Sequence, residues 1–300
     1  MTTELAARRA WYAQDLALRA PIRRNPAVAD AFAAVPREKF LGPGPWRLMP
    51  DTHPDLPFVT PDSDPAWLYH DVLVTIDPER RLNNGMPSFW ARNLDNLELK
   101  KGHRVLQVGA GTGYYSALLA EIVGPRGHVT AVEFDDALAE RAHNNLVAWD
   151  NVDVVCGDGR SHDAGPVDSI IAFAGSTHPA PRWLDRLKPG GQLLMPLTGW
   201  HWFGFLLLVT RSTRQEQRTS RFDARSIGGV GIFPCAGGRD EGAGYRLSEA
   251  IDKVMSEAPR GRTLPDIPIE ALHRGDPPAE AAERVWFAGP GFWLERKAQQ

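Results

Sequence analysis

The chain has 300 residues, 43% of them hydrophobic and 24% charged, with a formal net charge of −3, the profile of an ordinary globular protein and not of a general nucleic-acid binder. Its two cysteines, Cys156 and Cys235, have no Cys or His partner at ligand spacing, which argues against a disulfide framework and a structural zinc site. No apolar run reaches the roughly 18 residues of a membrane span, and Met1-Thr2-Thr3-Glu4 lacks the basic and apolar pattern of a secretion signal, so the expected compartment is the cytoplasm.

Residues 4–20 carry a helical Ala/Leu/Arg/Trp pattern that Pro21 stops. Asn25-Pro26 opens a second helix with Val28, Ala31, Phe32 and Val35 at core spacing. After Pro36-Arg37-Glu38-Lys39-Phe40 a Pro- and Gly-rich region to about Pro65 reads as a long surface excursion. Tyr69–Ile76 reads as a short strand. Arg81-Leu82-Asn83-Asn84-Gly85-Met86-Pro87 is a turn signal, with Pro87 placed to start a helix from Ser88 to about Leu99.

From Lys101 strands and helices alternate. The expected strands are 104–108, 128–133, 152–155, 168–173, 191–195, 203–210 and 222–227, and the helices 114–123, 135–148 and 180–187. Repeated β-α units predict an α/β fold, a doubly wound and mostly parallel sheet with N-terminal helices and a small C-terminal extension. The domain reading is 1–100 for helices and loops beside the acceptor, 101–238 for the core, and 239–300 for the extension. The extension holds a helix at 246–257, a Pro-rich linker at 259–268 and an aromatic hairpin over 284–295.

The core opens with Arg104–Val108 running into Gly109-Ala110-Gly111-Thr112-Gly113-Tyr114 and then an Ala/Leu-rich helix. A buried strand, a tight turn and a helix start of this kind bring the backbone close to a nucleotide-like ligand. Dinucleotide sites want a third glycine where Tyr114 stands. No Gly-Lys-Ser/Thr follows, so a phosphate loop is out. The G-x-G-x-G spacing suits a nucleoside without pyrophosphate, such as S-adenosylmethionine. Glu133, closing the second strand, is placed to accept ribose hydroxyls, and Asp158, in Gly157-Asp158-Gly159, suits the adenine amino group.

With these residues in order the chain resembles a class I S-adenosylmethionine-dependent methyltransferase, and more narrowly the protein-L-isoaspartate O-methyltransferase family. Val105–Tyr114, Val132-Glu133, Gly157-Asp158-Gly159, Asp168–Ile171, Leu187–Pro196, Val35–Phe40 and Gly231–Pro234 are similar to its segments, so the likeness covers roughly 25–236. The resemblance implies a Rossmann-like methyltransferase core. It also implies Gly109, Gly111, Thr112 and Gly113 against the methionine part of the cofactor, Glu133 on ribose, Asp158 and Gly159 on adenine, and Phe134 flanking it.

One departure concerns the acceptor. The family places a serine in a Thr-Ile-Ser-x-Pro segment, and aligned on Pro87 that position is Gly85. Asn83 and Asn84, or the N–H of Gly85, would have to offer the donors instead. These three are the candidate catalytic residues, facing the acceptor together with Ala174 and Gly175. A carboxylate acceptor needs no base; for an amine or hydroxyl the base candidates are His70, Asp71 and His178.

The leading expectation is transfer of a methyl group to a carboxylate of a protein or peptide. A small-molecule acceptor or another peptide group is the alternative, and an inactive cofactor-binding interaction protein a third. No metal, nucleic acid or membrane partner is expected, and the sequence assigns no oligomeric state.

Overall fold

The computed structural model describes residues 3–50, 56–213, 220–257, 264 and 266–298. Helices α1 (Thr3–Arg19) and α2 (Ala27–Ala34) precede β1 (Arg47–Pro50), β2 (Phe58–Val59), β3 (Val72–Asp77), β4 (Leu82–Asn83) and α3 (Pro87–Asn96). The core follows as β5 (Arg104–Val108), α4 (Tyr114–Val123), β6 (His128–Glu133), α5 (Asp136–Asn145), β7 (Val152–Cys156) and β8 (Val167–Ala172). Then come α6 (Pro181–Arg186), β9 (Leu187–Thr198), β10 (Phe203–Arg211), β11 (Arg221–Gly231), α7 (Glu241–Glu257), β12 (Ile269–Arg274), β13 (Val285–Gly289) and β14 (Phe292–Arg296).

The chain divides into two compact units. One comprises Met1–His103 with Ala110–Cys156, the other Arg104–Gly109 with Gly157–Gln300.

In the first unit α2 buries Val28, Ala31 and Phe32 as their spacing predicts, and Asp95 near the end of α3 anchors the α1–α2 corner. Its carboxylate accepts the N–H groups of Arg23 (3.1 Å), Arg24 (2.9 Å) and Asn25 (2.6 Å). The Pro- and Gly-rich region is not only a surface excursion. Strands β2-β1-β3-β4 form a small sheet, and Leu41, Trp46, Leu48, Leu68 and Val74 make its core. Prolines and glycines hide that strand signal, because the apolar residues fall singly between them; residues 51–55 lie outside the described set. Strands β6 and β7 pair in parallel from Val129↔Val152 to Glu133↔Cys156, and α4 is buried at nine of its ten positions.

In the second unit β5, β8 and β9 are parallel neighbours. From β9 onward the neighbouring strands pair antiparallel, the pairing that a hairpin such as β9–β10 or β13–β14 allows: β9-β10, β10-β11, β11-β12, β12-β14 and β14-β13. The α/β class holds, with a sheet mixed in direction. Strands β12, β13 and β14 complete it. Helix α7 packs on β9, β10 and β13, and the expected hairpin is β13–β14. Strand β12 was not expected, and the proposed Pro-rich linker falls largely outside the described residues. Trp286, Phe287, Phe292 and Trp293 are all buried, so these aromatics serve the core. Buried Glu295 is held by His273 (2.8 Å) and Arg284 (2.5 Å).

Candidate active site

In the first unit the glycine turn begins the buried helix α4. Gly111 has φ +58, and a Cβ there would meet nothing within 4 Å, so its outer face is open. Gly113 is packed instead, since a Cβ would fall 2.8 Å from Leu146 Cδ1. Thr112 is buried, and its carbonyl accepts from Asn145 Nδ2 at 2.9 Å. Glu133 is 8% exposed. Its Oε2 accepts the Gly111 N–H at 2.7 Å, and its Oε1 accepts the Asp135 N–H at 3.1 Å. Each carboxylate oxygen keeps further acceptor capacity. Phe134 beside it is 62% exposed, an unusual state for a phenyl ring.

The Asn83–Gly85 segment is organised from below by Arg37. This side chain is fully buried. Its Nη1 donates to the carbonyls of Leu68 (2.8 Å) and His70 (3.1 Å), and its Nη2 to Val72 O (2.8 Å) and Asn84 Oδ1 (2.8 Å). The ring of Tyr114 lies 5.9 Å from the guanidinium. Asn83 Oδ1 accepts the Gly85 N–H at 2.9 Å. The expectation that this N–H could serve an acceptor is therefore corrected: it is engaged in a local turn, and Asn84 has its carbonyl committed. The amide nitrogens of Asn83 and Asn84 are the remaining donors of the three residues.

Gly85 has φ +79, and a Cβ there would lie 2.8 Å from Trp90 Nε1 and 3.2 Å from Tyr115 Cε2. A serine does not fit this backbone. Asp71 Oδ1 accepts the Ser88 N–H at 2.8 Å, at the start of α3. A cavity of about 580 Å³ lies elsewhere in this unit, lined by Trp11, Tyr12, Tyr69, His70 and Asp71 among others, and shares no residue with 82–87.

In the second unit Gly109 (φ +83) ends β5 beside Phe173, and Phe173 N–H donates to Val108 O at 2.8 Å. Asp158 Oδ1 accepts the Arg160 N–H at 2.8 Å. Gly159 is a packing position: a Cβ would fall 2.7 Å from Val108 Cγ1, and its carbonyl accepts from Trp183 Nε1 at 2.8 Å. The turn after β8 is bonded on both sides, with Gly175 N–H to Phe233 O (2.6 Å) and Cys235 N–H to Gly175 O (2.8 Å). His178 Nδ1 lies 2.9 Å from Thr177 Oγ1. Burial holds its pKa below the ordinary value, and the charges of Arg160 and Arg239 add to this against an opposing Asp240.

Arg37, Arg160 and Arg239 are organising residues to which the sequence reading gave no role. Arg37 stood inside the Val-Pro-Arg-Glu segment, but nothing in sequence spacing announces that four acceptors converge on one guanidinium.

Residues 58–220 match the family described as protein-L-isoaspartate(D-aspartate) O-methyltransferase. The chain belongs to that family. A protein-L-isoaspartate O-methyltransferase of Methanothermobacter thermautotrophicus is 30% identical over 228 residues, covering 75% of this chain and 93% of the relative. Among solved structures, a protein-L-isoaspartate O-methyltransferase superposes with TM-score 0.59 at 19% identity, over 98% of this chain and 88% of that one. A putative protein-L-isoaspartate O-methyltransferase from Plasmodium falciparum, in complex with S-adenosyl-L-homocysteine, gives 0.57 at 17% identity, over 76% and 97%. At these identities the two structures establish the fold, and the Rossmann-like methyltransferase reading of the core stands.

Proposed function

We propose that this chain is an S-adenosylmethionine-dependent methyltransferase that esterifies a carboxylate of a protein or peptide. The observation that carries the reading is the Glu133 carboxylate, fixed by the N–H groups of Gly111 and Asp135 beside the open face of Gly111. A fixed carboxylate with spare acceptor capacity suits vicinal hydroxyls, and an open, left-handed glycine suits close backbone approach. The residues present fit the cofactor.

In this reading Gly111, Thr112 and Gly113 hold the methionine part and Glu133 the ribose, and exposed Phe134 flanks the adenine. The bound cofactor supplies an electrophilic methyl group on a sulfonium. An acceptor carboxylate is ionised above a pKa near 3.9, so no base is required. The protein's contribution is then to orient the acceptor and exclude water, an effect of about 7–11 kcal/mol in well-positioned reactions. Asn83 and Asn84 amide nitrogens are the proposed donors to the acceptor.

A second reading, an acceptor that must lose a proton, draws on His178. Its depressed pKa favours the neutral imidazole, the form that takes a proton. The free thiols of Cys156 and Cys235 fit a reducing compartment, the proposed cytoplasm.

Calorimetric titration with S-adenosylhomocysteine tests the cofactor assignment. Glu133→Ala should weaken binding by about 2–3 kcal/mol, or roughly 30- to 150-fold, the worth of hydrogen bonds to a charged group. Unchanged affinity would sink the ribose assignment.

A further inference from the structure

Arg37 holds more than backbone beneath residues 83–85. Asn84 is 7% exposed, and its Oδ1 accepts from Arg37 Nη2 at 2.8 Å. A guanidinium carries donors and no acceptor, so the oxygen of the amide has to face it. The planar amide then turns its nitrogen to the other side. No described residue accepts from that Nδ2, and unlike the hydroxyls of Tyr12 and Tyr114 it is not sealed from outside. Buried polar groups are almost always bonded. An unpartnered, reachable amide nitrogen on a side chain this deep therefore points to a ligand that accepts. Asn83 is built differently: it is only partly buried, and its Oδ1 is held by the Gly85 N–H within one turn.

The same node lies at the helix start that the cofactor reading uses. Tyr114 opens α4 directly after Gly113, and the Arg37 guanidinium lies 5.9 Å from its ring. Gly85, next to Asn84, packs so closely on this helix that a Cβ would stand 3.2 Å from Tyr115 Cε2. That crowding keeps a side-chain hydroxyl off position 85 and leaves the amide of Asn84 as the fixed donor. All of these residues belong to the first unit. One carboxylate is near, since the charge of Asp71 is felt at Tyr12 and Tyr115. Its Oδ1 is engaged by the Ser88 N–H at 2.8 Å, so selection here rests on the hydrogen bond of the amide and not on a net positive field.

We propose that Asn84 selects a carboxylate acceptor by donating from Nδ2 to one carboxylate oxygen, and that Arg37 is the positioning residue that sets the amide for it. The inference rests on the carboxyl-methyltransferase reading above and narrows its two candidate donors to one. The oxygen that takes the hydrogen bond is fixed, and the other stays free as the nucleophile. That second oxygen forms the new bond to the methyl carbon as the methyl–sulfur bond breaks. The electron pair of the broken bond stays on sulfur, and no proton moves.

The test uses the full chain saturated with S-adenosylhomocysteine and two fluorescent synthetic peptides. One contains a single isoaspartyl residue, and the other has that residue's carboxylate converted to a carboxamide. By fluorescence anisotropy the carboxylate peptide should bind at least about fivefold more tightly, because a hydrogen bond to a charged acceptor is roughly twice as strong as one to a neutral acceptor. Asn84→Asp keeps an oxygen for Arg37 and sets a second oxygen in place of Nδ2, so the preference should reverse while S-adenosylhomocysteine affinity stays unchanged. If that variant fails to fold, Asn84→Ala removes the donor without adding charge, and the preference should fall to about parity. Arg37→Lys, which still donates to Oδ1, should keep the preference, and Arg37→Met should lower it; a merely structural role would leave the ratio alone. Wild-type preference in a folded Asn84 variant, or equal or no binding of the two peptides by the wild-type chain, overturns the proposal. An unchanged ratio in Arg37→Met, or a lost one in Arg37→Lys, overturns the positioning role. Binding is read without turnover, so a chain that selects the carboxylate through Asn84 and transfers no methyl would support the donor and overturn the carboxyl-methyltransferase reading.

Discussion

Replacing Arg37 by Met tests how the acceptor-side segment is held. The side chain is 0% exposed, and its four hydrogen bonds, three at 2.8 Å and one at 3.1 Å, end on Leu68, His70, Val72 and Asn84. Methionine fills much of the same volume and donates to none of them. Each buried acceptor left without a partner costs about 1–3 kcal/mol. Removal of the buried cation's own desolvation offsets part of that sum. The expected loss is about 3–5 kcal/mol, the cost of four unsatisfied acceptors less that offset. Against a total stability of about 5–15 kcal/mol this is a large fraction. Urea unfolding followed by far-UV circular dichroism and tryptophan fluorescence measures it. Arg37→Lys, with three donors on one nitrogen, should lose less. A loss below about 1 kcal/mol in the Met variant would refute the claim that unsatisfied acceptors dominate at this site.

Gly85→Ser, which restores the residue type of the family's segment, should not create a better acceptor site. The φ of +79 and the 2.8 Å approach to Trp90 Nε1 predict a loss of about 2–4 kcal/mol from backbone strain and overpacking. A denaturation midpoint equal to wild type with gain of isoaspartyl methylation would show that the segment reshapes freely. His178 carries a pH prediction. Its folded pKa lies below its unfolded value, so the unfolded chain takes up the proton first, and stability present above the ordinary histidine value falls as pH drops through the folded one. Comparing unfolding free energies of wild type and His178→Gln across that window should give a shallower acid slope in the variant; identical slopes would count against the assignment.

Much of the core is legible in sequence because strand and helix signals there are undiluted. The strand Arg104–Val108, the helix Tyr114–Val123 and the strand His128–Glu133 have the expected bounds. Glu133 could be singled out because an acid that ends an apolar strand stands out from its neighbours. The region before Pro65 misleads for the opposite reason. Trp46 and Leu48 are core residues set singly among prolines and glycines, so no alternation survives. The Asn83-Asn84-Gly85 segment shows another limit. Its side chains look unattached in sequence, but Asn83 Oδ1 turns back to accept from Gly85 and Asn84 Oδ1 accepts from Arg37, some 47 residues earlier. Such long-range polar contacts leave no local trace. Strand β12 was missed because it pairs through only a few residues with β11 and depends on β14 for its other edge.

The most direct test of the proposed function is transfer of labelled methyl from S-adenosylmethionine to an isoaspartyl peptide by the full chain, followed by mild base. Label should appear on the peptide, be released by base as methanol, and be lost in Glu133→Ala. Base-stable label, or no label on any carboxylate peptide from a chain that binds the cofactor, would contradict it.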